Sequence, residues 1–474
     1  MARINLNDTI VALSTPEGVG AIGMVRLSGS KSIQICDRVF KGVALEKVNS
    51  HTLHFGTIVD GAKVIDEVLV SVFKNPTSYT REDMIEVSCH GSPYILQAVI
   101  SLFVKEGARM AGPGEFTMRA FLNGRMDLSQ AEAVADLIAS GTEAAHELAI
   151  KQMRGGYSSE IQILRQELIN FASLVELELD FGEEDVESAD RTQLTNLVNK
   201  IQQVLSELMA SFKLGNAIKN GVPTVIAGRP NAGKSTLLNA LLKEDRAIVS
   251  EIAGTTRDTI EEVLNIKGIP FRFIDTAGIR KSRDTIEAIG VEKTFEKLRE
   301  SSVVIYLFDV NTTSLEELQQ ELLQLEYSTK STVLVGNKTD ASEKDGAELR
   351  AKYLPILSDE KLAEKFSSPD ESQLLFISSK EGENMEVLCE SLHLQIMAGN
   401  FQSGTVVSNA RHFTALQQAE EALHRVYQGV NSGISGELLA LDIRQALHAL
   451  GEITGEVTTD DLLGNIFGNF CIGK

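Results

Sequence analysis

Residues 224–242 read TVIAGRPNAGKSTLLNALL. The run TVIA is apolar and β-branched and reads as a buried strand, while 236–242 (TLLNALL) reads as a helix. Between them Gly228, Gly233, Lys234 and Ser235 spell G-x-x-x-x-G-K-[ST] in the strand-to-helix context that gives this motif its meaning. Glycines let the backbone wrap a phosphate without Cβ clashes. Successive amide N–H groups and the helix dipole favour an anion there. Lys234 is placed to reach the β- and γ-phosphates of a nucleotide, Ser235 to ligate Mg²⁺, and Asn231, Ala232 and Thr236 to complete the cradle.

Further segments follow in the order a guanine-nucleotide site requires. Gly254-Thr255-Thr256-Arg257-Asp258 offers a threonine to complete the Mg²⁺ shell and order a switch loop. Residues 271–278 (FRFIDTAG) read as an alternating strand ending in Asp275-Thr276-Ala277-Gly278, with Asp275 holding Mg²⁺ through water and the Gly278 N–H sensing the γ-phosphate. Residues 332–340 (TVLVGNKTD) read as a buried strand ending in Asn337-Lys338-Thr339-Asp340. A carboxylate at Asp340 accepts from guanine N1–H and the 2-amino group, which adenine does not offer; a hydrogen bond to a charged group is worth about 1.5–3 kcal/mol. Residues 374–380 (LLFISSK) end in Ser378-Ser379-Lys380, suited to the base edge. Ligands of open α/β sheets bind at the C-terminal ends of strands, where all these segments fall. Residues 221–397 therefore read as a Ras-like P-loop GTPase domain binding GTP.

That domain departs from small Ras-like GTPases, which carry a water-positioning glutamine after the DTAG glycine. Here the position is Ile279, which cannot orient water. Of Arg280, Arg283, Asp284 and Glu287 in the following stretch, Glu287 is the best candidate for a general base or water-orienting group. On position alone a helix-start carboxylate reads as solvated. Asn231 brings an extra carbonyl oxygen near the β-phosphate that could coordinate a monovalent cation, where an arginine finger usually places its charge.

At 474 residues the chain is too long for one ordinary domain. Its net charge of −21 argues against non-specific polyanion binding, so a nucleic-acid partner needs a local basic patch or a second protein to carry it. Cys36, Cys89, Cys389 and Cys471 show no metal spacing and no framework of pairs, which suggests a reducing cytoplasm. The N-terminus lacks a signal-peptide core, and no apolar run is long enough for a membrane span, so a cytoplasmic, non-membrane protein is expected.

Residues 1–122 alternate strand and helix patterns and read as a compact α+β unit. Across 123–220, Leu164, Leu168, Phe171 and Val175, then Leu194, Val198, Ile201, Leu205 and Leu208, recur at helical spacing. After 397 the pattern returns with Leu416, Ala419, Leu423, Val426 and Val430. The economical reading is one helical domain, 123–220 plus 398–474, interrupted by the GTPase domain; the alternative is two separate bundles. The acidic run 181–187 (FGEEDVE) reads as a solvated loop. The end, LLGNIFGNFCIGK, fails the prenylation pattern at Gly473. It reads plainly as a packed tail with Cys471 as a buried small hydrophobe, or functionally as a tail inserted into a site.

The chain resembles the MnmE (TrmE) family of tRNA-modification GTPases throughout, on DTIVALSTPEGVGAIGMVRLSG, PGEFTMRAFLNGRMDLSQAEAVADLI, GRPNAGKS, GTTRD, DTAGIR and the terminal FCIGK. The resemblance implies a homodimer made by the N-terminal domain, and a flavoprotein partner, MnmG, in a heterooligomer. It implies installation of an aminomethyl-type group at C5 of the wobble uridine (U34) of tRNA, with a tetrahydrofolate derivative (5-formyl or 5,10-methylene) as one-carbon donor. Matched residue by residue, folate contacts fall on Arg26, Glu86, Arg125 and Lys474. The K⁺ site falls on Asn231, Ser250, Ile252 and Thr255, the Mg²⁺ site on Ser235 and Thr256, and the catalytic glutamate on Glu287. In such an enzyme Cys471 is a candidate nucleophile toward the one-carbon unit, beside a structural or positioning role. The acidic charge suggests that the partner makes most tRNA contacts. The runner-up is a regulatory or ribosome-assembly GTPase whose output is a conformation.

Overall fold

The computed structural model describes residues 8–180, 191–244, 262–274, 301–324, 331–359, 362, 373–397, 406–432, 434 and 436–473. The chain divides into two compact units: Met1–Ala139, Ala149–Val198 and Gln418–Lys474 in the first, Ser140–Leu148 and Asn199–Gln417 in the second. The acidic run 181–187 lies outside the described residues.

The first unit is built on a seven-stranded sheet of β1 (Ile10–Leu13), β2 (Ile22–Ser28), β3 (Phe40–Lys41), β4 (Thr52–Asp60), β5 (Lys63–Phe73), β6 (Met84–His90) and β7 (Arg109–Met110) in the order β3-β4-β5-β6-β2-β1-β7. Its pairs are antiparallel except β1 with β7. The two-residue strands β3 and β7 are too short to show a period in the sequence. Strand side chains alternate between faces. Val68, Val70 and Val72 therefore share one face, where they join Val25, Leu27, Ile85 and Val87 in a core completed by Ile35, Val39, Val99 and Phe103 from helices Ser32–Val39 and Pro93–Lys105. On the opposite face, near β1, Ile10 and Ala12 pack with Phe116 and Tyr79. Toward β4 it stays open, with Leu53, Phe55 and Leu69 exposed and Phe55 paired to Leu69.

Helices complete this unit. Leu164, Leu168 and Phe171 of Ser158–Asp180 are buried, and that helix packs on Gly436–Thr454. Leu128 and Ala131 share a cluster with Met118 of Glu115–Leu122 and with Leu463 and Phe467 of Asp460–Gly468. Each fully buried leucine contributes about 1.5–3 kcal/mol.

The second unit holds a six-stranded sheet: β8 (Val222–Ala227), β9 (Glu262–Ile266), β10 (Ile269–Phe273), β11 (Val303–Asp309), β12 (Ser331–Asn337) and β13 (Leu374–Phe376), ordered β13-β12-β11-β8-β10-β9. All pairs are parallel except the β9–β10 hairpin at the edge. β11 shows why its sequence is apolar throughout. Val303, Ile305 and Leu307 enter one core and Val304, Tyr306 and Phe308 the other, as a strand buried on both faces demands. Lys267 and Gly268 both take positive φ (+50° and +89°), which joins β9 to β10 by a tight turn. Ile201, Leu205 and Leu208, and Leu416, are buried as their spacing predicts. No described helix is long and apolar enough to cross a membrane.

Candidate functional site

The phosphate loop runs from the end of β8 into helix Lys234–Glu244. Gly228 (φ +140°) and Gly233 (φ +102°) occupy backbone regions closed to most side chains, and Asn231 sits in the left-handed region at +64°. A Cβ on Gly233 would lie 2.3 Å from Asn337 Nδ2, so this glycine admits the asparagine. Asn337 is buried; its Nδ2 donates to Ala232 O (2.8 Å) and its Oδ1 accepts from Ser379 N (3.0 Å). One side chain thus fastens the phosphate loop, the NKTD segment and the SSK segment together. Lys234 Nζ donates to Gly228 O (2.6 Å) and Arg229 O (2.9 Å), and burial pushes its ammonium below the usual lysine value. Ser235 is half-buried in the first helical turn, and Thr236 beside it is exposed.

Between the NKTD and SSK segments, Ser378 Oγ donates to Asp340 Oδ1 (2.7 Å) and accepts from Glu381 N (3.2 Å). The exposed Asp340 carboxylate is thereby held in one orientation and keeps Oδ2 for a ligand. Lys338 (φ +68°) reaches Asp309 Oδ2 at 2.8 Å, and its carbonyl accepts from Asn311 Nδ2 (3.1 Å). Burial alone would raise the Asp309 carboxyl, but hydrogen bonds from Lys338 and Asn311 outweigh it and the net shift is downward. Lys380 is exposed and pairs with Glu381 at 2.9 Å. Asp309 was not anticipated; the signal was present as the one acidic residue ending VVIYLFD. Ser250, Ile252, Gly254, Thr255, Thr256, Asp275, Thr276, Ala277, Gly278 and Glu287 lie outside the described residues.

A second constellation lies in the first unit, where the covered part of the sheet face meets the open part. Arg26 on β2 and Glu86 on β6 are paired in register, and Arg26 donates from Nε (2.9 Å) and Nη2 (2.7 Å) to Glu86 Oε1. The second Glu86 oxygen is a further acceptor. The guanidinium carbon of Arg26 stands 5.6 Å from the Tyr79 ring centroid and 5.7 Å from that of Phe116. Arg125 stands 5.9 Å from the same Tyr79 ring and donates to Ser78 O (2.7 Å). Arg26, Glu86 and Arg125 are thus brought together, while Lys474 lies outside the described residues. The aromatic floor escaped sequence reasoning, because nothing local in SYT marks a ring shared by residues far apart in the chain.

The chain's end docks beside this cluster. Gly473 O accepts from Arg26 Nη1 and Ser14 Oγ, both at 3.3 Å, and Ile472 bridges to Pro113. Gly473 (φ +95°) is pressed so closely on β1 that a Cβ would lie 2.1 Å from Leu13 O. The expectation of Cys471 as a buried small hydrophobe is corrected: the tail is anchored by its backbone and by Gly473, which leaves the thiol exposed. Cys36 and Cys89 are the buried thiols; burial raises Cys36 strongly and pushes Cys89 up to about 12. Thiolate is the reactive form. A disulfide reagent at pH 8 is therefore expected to label Cys471 promptly in the native protein and to reach Cys36 and Cys89 only after denaturation. Prompt native labelling of either core thiol, read by peptide mass spectrometry, would contradict this.

The sequence matches two family descriptions: "MnmE helical domain" over residues 128–471 and "GTP-binding protein TrmE N-terminus" over residues 9–125. It is 53% identical to the tRNA modification GTPase MnmE of Christiangramia forsetii, over 99% of this chain and 100% of that protein. To the protein of the same name from Cytophaga hutchinsonii it is 53% identical over 99% and 98% of the two chains, and to that of Bacteroides thetaiotaomicron 50% over 98% and 99%.

Proposed function

This chain belongs to the MnmE family of tRNA modification GTPases, and we propose that it hydrolyses GTP in its second unit to drive modification of the wobble uridine of tRNA. The observation that carries this reading is Asn337, which ties phosphate loop to base-reading segments around a fixed Asp340 carboxylate. Lys234 neutralises the β- and γ-phosphate oxygens, Asp340 accepts from the guanine edge, and Glu287 orients the attacking water. Ser235 and Thr256 hold Mg²⁺, which supplies Lewis-acid charge to the phosphates. Asn231, Ser250, Ile252 and Thr255 hold K⁺, which supplies the charge an arginine finger supplies elsewhere.

In the first unit, Arg26, Glu86, Arg125 and Lys474 hold a tetrahydrofolate derivative, 5-formyl or 5,10-methylene, as one-carbon donor. The second Glu86 oxygen suits a pterin N–H edge, and the donors Arg125 keeps after bonding Ser78 suit a ligand carboxylate. The group installed at C5 of U34 is aminomethyl-type, made with an MnmG-type flavoprotein that carries most of the tRNA contacts; the net charge of −21 supports that division of labour. The open apolar face at Leu53, Phe55 and Leu69 supports a homodimer through this unit.

The test is nucleoside mass spectrometry of tRNA from cells lacking the protein. The C5-modified wobble uridine is expected to be lost, restored by the wild type, and not restored by Lys234→Ala or Glu287→Ala. Each variant is expected to cut GTP turnover about 10²-fold or more, with Glu287→Ala still binding GTP. An unchanged nucleoside profile would leave a GTPase with another client. Normal modification by Cys471→Ser would end the nucleophile role of that thiol.

A further inference from the structure

Tyr79 sits where two cations converge. Its ring centroid lies 5.6 Å from the Arg26 guanidinium and 5.9 Å from that of Arg125, and its hydroxyl is fixed on the buried Thr117 (2.8 Å to Oγ1). The ring packs against Ile10, Ala12, Ala111 and Phe116, so it cannot swing away from either arginine without opening that small core. Burial raises the phenol, which therefore stays neutral and keeps its proton.

Two guanidinium groups over one ring repel each other, and among the described residues only Arg26 of the two has a carboxylate partner, Glu86. Arg125 is exposed, and among the described residues its guanidinium donates a hydrogen bond to Ser78 O. What fixes its direction is that bond and the negative face of the Tyr79 ring. We propose that Tyr79 is the positioning residue of this anion- and pterin-binding site: it aligns Arg26 and Arg125 against their mutual repulsion through one shared aromatic ring. The inference rests on the folate reading above and goes beyond it, because Tyr79 acts through the two arginines and its role is electrostatic. The ring quadrupole holds the cations; the hydroxyl serves only to lock the ring.

The test is titration calorimetry of the full-length protein with 5-formyltetrahydrofolate. Tyr79→Phe keeps the ring and is expected to bind within about twofold of the wild type. Pentafluorophenylalanine at position 79 keeps the phenylalanine shape and reverses the charge on the ring face. It is expected to weaken binding about tenfold relative to Tyr79→Phe, as is Tyr79→Leu; tenfold corresponds to about 1.4 kcal/mol. Combining Tyr79→Leu with Arg125→Ala is expected to cost far less than the product of the single losses, because the tyrosine works through that arginine. The fluorinated variant binding as tightly as Tyr79→Phe would overturn the proposal, as would single losses that multiply in the double variant. The fluorinated variant decides the matter even if Tyr79→Leu does not fold. Failure of the wild type itself to bind 5-formyltetrahydrofolate would instead overturn the folate reading, and this role with it.

Discussion

Asp340→Asn is expected to lower affinity for GTP about 10²-fold and to raise affinity for xanthosine triphosphate. The Asp340 carboxylate, oriented by Ser378 Oγ at 2.7 Å, is an acceptor only. Guanine presents it with two donors, N1–H and the 2-amino group. Losing one charge-assisted hydrogen bond and opposing two NH₂ groups removes about 3 kcal/mol, near two orders of magnitude. Xanthine carries a carbonyl at position 2, which the carboxylate repels and which an asparagine amide can bond, while Asn Oδ1 still accepts from N1–H. Ser378 can donate to Asn Oδ1 as it does to Asp, so the loop itself should keep its shape. Equilibrium binding of the two nucleotides to wild type and variant checks this. A variant that still preferred guanine tenfold over xanthine would remove Asp340 from the base-reading role.

Gly228→Ala is expected to destabilise the second unit by at least about 3 kcal/mol, drawing on both backbone strain and a forced separation of strands. At φ +140° a Cβ would stand 2.0 Å from the carbonyl oxygen of Leu307, a fully buried residue of β11. Neither partner is a flexible side-chain tip: one is the end of β8 and the other the backbone of its neighbour in the sheet. For a unit of this size each kcal/mol moves the melting midpoint about 2–4 °C, so a fall of roughly 6 °C or more is expected. Gly346 supplies the control. It opens the helix Gly346–Tyr353 with nothing within 4 Å of where a Cβ would stand, and Gly346→Ala is expected to leave the midpoint unchanged or slightly raised. Equal midpoints for Gly228→Ala and wild type, by differential scanning calorimetry, would show that β8 and β11 part at no cost.

The parts legible in the sequence are those whose chemistry is local. The phosphate loop needs glycines at fixed spacing between a strand and a helix, and NKTD and SSK end apolar runs, so type and position identify them together. The helical stripes from Leu194 to Leu208 and from Leu416 to Val430 were legible for the same reason, and their residues are buried. Contacts between residues distant in sequence were not. Asp309 meets Lys338 because β11 and β12 lie side by side in register, and Tyr79 meets Arg26 and Arg125 because the loop after β5, the strand β2 and the turn after the helix Glu115–Leu122 come together. The β9–β10 hairpin was half-read: FRF alternates and reads as a strand, but its partner EVLNI was not read. The exposure of Cys471 follows from backbone anchoring of the tail, which leaves no trace in hydrophobicity.

The anchoring of Gly473 on Leu13 and Ser14 also sets an order of events during synthesis. The first unit closes a very long loop, since Ser14 and Arg26 bond the carbonyl of Gly473, 459 and 447 residues further on. The second unit, apart from Ser140–Leu148, is one continuous stretch, Asn199–Gln417. Domains fold as they emerge, at about 5–20 residues per second, so roughly tens of seconds separate the first sheet from its closing contact. During that interval the second unit is made in full and can fold. The emerging first sheet must wait until then with Ser14 and Arg26 lacking the carbonyl they bond in the finished fold.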